Sequence, residues 1–77
     1  MSKLRSILAE ILRISEGDVS DDIAIHTTPS WNSLTHIELI LMIEEAFKIQ
    51  LAEDEIVAMR SVGEIRKILH KRSVRDE

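Results

Sequence analysis

The chain has 77 residues, 44% of them apolar, with a formal net charge of −4 and no cysteine. One small domain (residues 1–77) is the count such a length supports. It buries only about 60–65% of its unfolded surface, which leaves little room for an enclosed active site. The missing thiols exclude a disulfide framework and any cysteine-based metal site.

Charge is unevenly spread. Residues 16–64 hold eleven acids and two bases, Lys48 and Arg60, for a net −9. Residues 1–15 carry +2 and residues 65–77 carry +3. An acidic middle between mildly basic ends argues against nucleic acid, whose phosphates need a basic surface, and favours a basic protein partner. The first ten residues, "MSKLRSILAE", hold Lys3, Arg5 and Glu10 where a secretory signal needs an unbroken apolar stretch. The longest apolar run, Leu39 to Ile43, is far too short to span a bilayer. The expectation is a soluble, cytoplasmic monomer with no membrane insertion.

In chain order, Leu4, Ile7, Leu8, Ile11 and Leu12 recur at i, i+3, i+4, i+7 and i+8, which predicts a first helix over 3–14. Ser15-Glu16-Gly17-Asp18 should end it. Residues 15–32 then read as a long loop, with Val19, Ile23 and Ile25 as anchors onto the core and Pro29 near its close. A loop that long is either functional or a requirement of the topology. The second helix is predicted over 33–48 and a short third over 53–59, with Glu53, Asp54 and Glu55 at the positive end of its dipole. Ser61-Val62-Gly63-Glu64 matches a capping box and opens a fourth helix over 62–71. Residues 73–77 are expected to fray. The fold class is therefore all-α. It is a small antiparallel four-helix bundle, three main helices plus one short one, with a long loop between helices 1 and 2.

The second helix carries the signal. With Leu34 at zero and about 100° per residue, Leu39, Ile40, Ile43, Ala46 and Phe47 form a broad apolar arc that includes His36. Glu38, Glu44 and Glu45 lie on the other side, yet Leu34, Ile37 and Leu41 fall among them at i, i+3, i+7 spacing, with Met42 on the border. An apolar stripe rimmed by acids marks a partner site, because unpaired glutamates rule out burial all round. Asn32 suits the N-cap, and Thr35-x-x-Glu38 offers a competing capping box. Ser33 then stands at the first helical position, where a helix terminus favours a phosphate group. Ser33 and His36, one turn apart, do not make a hydrolase, since no orienting acid or oxyanion motif accompanies them.

The segment "NSLTHIELILMIEEAF" resembles the acyl carrier protein family. Ser33-Leu34, Glu38-Leu39, and Glu44-Glu45 ahead of Phe47 stand at that family's spacing. The likeness continues through the helix order, the long first loop, the acidic third helix and "SVGEIRKIL", covering about residues 4–69. Trp31 before the motif is similar to stand-alone carriers of specialised or surface-polysaccharide pathways more than to the main fatty-acid carrier, and the pathway is expected to be fatty-acid, polyketide or surface-polysaccharide biosynthesis. The resemblance implies a non-enzymatic phosphoprotein. Ser33 would bear 4′-phosphopantetheine, attached from coenzyme A by a phosphopantetheinyl transferase, and the arm's thiol would hold an acyl or aminoacyl thioester. Asn32, Leu34 and His36 would surround the arm. Leu34, Ile37, Glu38, Leu41, Met42, Glu44 and Glu45 would dock acyl-loading, condensing or acyl-transfer enzymes through basic surfaces. Asn32 departs from the family's usual aspartate: it keeps the cap, loses the charge and removes a repulsion with an attached phosphate. The alternative is a degenerate, unmodified helical interaction module that docks through helix 2.

Overall fold

The computed structural model describes residues 3–74. They form α1 (Lys3–Leu12), a single 3-10 turn (Glu16–Asp18), α2 (Ser33–Phe47), α3 (Glu53–Ala58) and α4 (Val62–Lys71). The bundle is all-α as the periodicity predicts, and no β-strand occurs among the described residues. None of the helices is long and apolar enough to cross a membrane. One core joins Leu4, Leu8 and Leu12 of α1, Leu39 and Ile43 of α2, Met59, and Val62, Ile65 and Leu69 of α4.

The helix ends differ from expectation in an instructive way. α1 stops at Leu12, well before Gly17, which sits in the 3-10 turn. Arg13 takes the left-handed conformation (φ 59°), and the Ile14 amide donates back to the Ala9 carbonyl at 3.1 Å. α2 repeats the device with Lys48 (φ 54°) and the Ile49 amide on Glu44 O at 3.1 Å. α4 repeats it again with Ser73 (φ 60°) and the Val74 amide on Leu69 O at 2.9 Å. This is the Schellman termination, normally the place of a glycine. An L-residue there costs roughly 1–2 kcal/mol. The offset is visible in each case: Ile14, Ile49 and Val74, the next residues, pack half-buried against the core. Ser73 and Val74 therefore fold back where fraying was expected; residues 75–77 of that expected tail lie outside the described residues.

The long loop is tied down along its length. Arg5 donates through Nη1 to the carbonyls of Glu16 (2.8 Å) and Val19 (3.0 Å). Val19 is buried, and Ile23 and Ile25 are half-buried on the core. An isolated β-bridge, which the sequence pattern does not announce, pairs Ala24 with Ser61. Its bonds are Ile25 N–H to Arg60 O (2.9 Å) and Val62 N–H to Ile23 O (2.9 Å). Beside it the Gly63 amide donates to Asp21 O at 3.2 Å. A Cβ on residue 63 would stand 3.4 Å from that oxygen, an ordinary contact. The Arg66 guanidinium pairs with the Asp21 carboxylate at 2.9 Å.

α3 is short and held from outside. The Glu55 carboxylate accepts the Ala52 amide at 2.8 Å and also binds the Arg72 guanidinium, at 2.9 Å between Nε and Oε2. The hydrogen bonds from Arg72 and from the Ala52 amide pull the Glu55 pKa down to about 2 from an ordinary 4.5. The helix ends at Ala58, and Met59 turns fully inward. At α4 only half of the expected capping box forms. Ser61 Oγ accepts the Glu64 amide at 3.2 Å, while the Glu64 side chain reaches Lys67 at 3.8 Å.

Candidate functional site

The site is built on the entry to α2. Asn32 is extended (φ −123°, ψ −173°), and its Oδ1 accepts the amides of Leu34 (3.0 Å) and Thr35 (3.1 Å). Thr35 Oγ1 accepts the Asn32 amide at 2.9 Å and donates to Ser30 O at 2.7 Å. The capping box is therefore Asn32-x-x-Thr35, and the competing Thr35-x-x-Glu38 box is not used. The reason is geometric: once Thr35 serves as the third helical residue, it cannot also be a cap. Ser33 becomes the first helical residue and is exposed. No acid occupies the first turn, so nothing on the helix neutralises the positive end of its dipole.

Behind the serine lies a hydrogen-bonded relay. Trp31 is 2% exposed, and its indole Nε1–H donates to His36 Nδ1 at 3.0 Å. Because Nδ1 accepts, the ring proton sits on Nε2, which donates to the Ile56 carbonyl of α3 at 2.9 Å. The expectation for His36 is a packed or pocket-lining side chain near the arm, and the structure shows it packed. It is engaged at both nitrogens in joining α2 to α3, and neither nitrogen is available to take a proton from Ser33.

The outward face of α2 carries the apolar stripe in the open. Leu34 is 69%, Ile37 59% and Leu41 60% exposed, and Glu38 and Glu45 are exposed among them. Two expected members of this face sit differently. Glu44 is half-buried, and its Oε2 accepts the Leu51 amide at 2.9 Å, because the chain leaving α2 turns back beneath it. Met42 is half-buried and packs on the core, as its border position on the wheel allows. One exposed aliphatic was missed: Val57 of α3, 64% exposed. The signal was present in "EDEIVA", since adjacent Ile56 and Val57 cannot both face inward from a helix.

An exposed hydroxyl at a positive helix end, with both nitrogens of the nearby His36 engaged elsewhere, suits a residue that is modified by another protein. A family profile described as a phosphopantetheine attachment site matches residues 2–69, nearly the whole chain. The chain belongs to the phosphopantetheine attachment-site family: it is a carrier domain for covalently attached 4′-phosphopantetheine, and not itself a catalyst.

Proposed function

We propose that Ser33 is the attachment residue and that the chain works as an acyl carrier, with an aminoacyl group as the other possible cargo. The observation that carries this reading is the exposed Ser33 at the first position of a helix whose first turn holds no acid. A phosphodiester there meets the positive end of the dipole, and the neutral Asn32 adds no repulsion. Attachment would join Ser33 Oγ to phosphorus as the pyrophosphate bond of coenzyme A breaks and adenosine 3′,5′-bisphosphate leaves. The hydroxyl proton leaves to a base of the transferase, because His36 is committed elsewhere. When bound, the arm supplies a thiol that holds cargo as a thioester.

The chain itself presents and tethers. The tether raises the cargo's effective concentration at each partner's active site. Leu34, Ile37 and Leu41 would fill a small apolar depression on partner enzymes, with Val57 at the edge, while Glu38 and Glu45 steer a basic rim. The partners are a phosphopantetheinyl transferase and acyl-loading, condensing or acyl-transfer enzymes.

Incubation with coenzyme A and a broad-specificity transferase tests this by intact mass. One phosphopantetheine should add to the wild type and none to Ser33→Ala. If folded wild type and Asn32→Asp both stay unmodified with several transferases, Ser33 is not the attachment residue and the unmodified interaction module takes its place. Modification of Asn32→Asp alone would mark a degenerate carrier.

A further inference from the structure

The relay behind Ser33 says what kind of cargo the carrier takes, an inference that rests on the carrier reading. His36 links the first turns of α2 to α3, so a chain from Ser33 that entered the interior between these two helices would have to displace it. His36 stands one helical turn beyond Ser33. Its imidazole is fixed at both ends, by the Trp31 indole at 3.0 Å and by the Ile56 carbonyl at 2.9 Å, and the two rings stack at 26° with centroids 6.2 Å apart.

Each bond answers a need of the fold. The Ile56 carbonyl, near the end of a six-residue helix, accepts only a long 3.3 Å bond from the Met59 amide, and His36 Nε2–H supplies a second, shorter one at 2.9 Å. The Trp31 indole is buried, and a buried N–H requires an acceptor. Below the relay, Leu39, Ile43 and Met59 are fully buried in one cluster with Trp31. An alkyl chain entering here would break the α2–α3 link, leave the indole N–H without its acceptor and leave the Ile56 carbonyl with only the 3.3 Å bond from the Met59 amide. Left outside, the same chain would expose apolar surface that grows with every methylene. Short or polar cargo meets neither difficulty.

We propose that Trp31, His36 and Ile56 form a seal that keeps cargo out of the bundle, so that the carrier takes short or polar acyl groups and His36 is the residue that sets this limit.

The lack of cysteine allows a test that needs no transferase. In the full chain, Ser33→Cys supplies a single thiol, which is alkylated with a flexible arm ending in either a two-carbon or a twelve-carbon acyl group. With His36 intact, the two products should melt within about 1 °C of each other. With His36→Ala added, the long end group should raise the melting temperature by several degrees over the short one, because the opened space accepts it. Trp31→Phe, which keeps an aromatic ring and removes the N–H donor, should give a smaller shift in the same direction, and it serves if the alanine variant does not fold. A shift of several degrees with the seal intact would overturn the proposal. So would a folded His36→Ala protein indifferent to chain length. Because loading is chemical, neither result depends on whether Ser33 is modified enzymatically.

Discussion

α2 and α4 are both mainly apolar on their inner sides, and they treat their outer sides in opposite ways. α4 sends Val62, Ile65 and Leu69 into the core and keeps charge outside, where Arg66 pairs with Asp21 and Lys67 with Glu64. α2 buries Leu39, Ile40 and Ile43 and still leaves Leu34, Ile37 and Leu41 in water. α4 shows that this fold can finish a helix with polar residues outside. The aliphatics on the outer side of α2 are therefore not a requirement of packing, and an external partner is the simplest use for them.

Truncation breaks the comparison most sharply. Ile65→Ala, at a position with no exposure, should cost about 2–5 kcal/mol in urea unfolding. Ile37→Ala should cost under about 0.5 kcal/mol by the same measurement. It should instead reduce transferase kcat/KM by the equivalent of about 1–2 kcal/mol. If Ile37→Ala unfolds the domain as Ile65→Ala does, α2 has no surface stripe and the contrast fails.

The acids of α2 sharpen it next. Glu44→Ala strands the half-buried Leu51 amide and should destabilise by about 1–2 kcal/mol in thermal unfolding. Glu38→Lys and Glu45→Lys should leave unfolding within about 0.5 kcal/mol and slow transferase association, a defect that high salt erases.

The pairing that anchors α3 to the end of α4 predicts a pH effect. Folding lowers the Glu55 pKa from 4.5 to about 2, so the ionised form is favoured in the folded chain. Its contribution is complete above about pH 4.5 and is lost as pH falls towards 2. Melting curves from pH 7 to 2 should show wild type and Arg72→Leu converging through that window.

The smallest effect belongs to the helix ends. Lys48→Gly relieves a left-handed L-residue and should stabilise by about 0.5–1 kcal/mol in urea unfolding.

Much of the fold was readable because the apolar spacing is local: α2 begins where Asn32 and Ser33 place it and ends one residue short of expectation. What escaped depends on residues distant in sequence. Nothing near Arg13 signals a stop, because the stop is set by Ile14 reaching the core. Glu55 and Arg72 meet only once α3 and α4 are placed. The wheel located the exposed stripe, but could not tell a free acid from a committed one, since Glu44 answers to the chain turning back at Leu51. His36 was assigned to the inner arc, while its partners, an indole on the loop and a carbonyl on α3, are set by tertiary structure.

Trp31 is the only tryptophan, and the chain has no tyrosine. The protein therefore holds one indole chromophore, two residues ahead of Ser33, and that indole is in hydrogen-bonded contact with an imidazole. Any event that loosens the first turn of α2 changes the surroundings of the chain's single indole, and its emission, without an added dye, can follow that event.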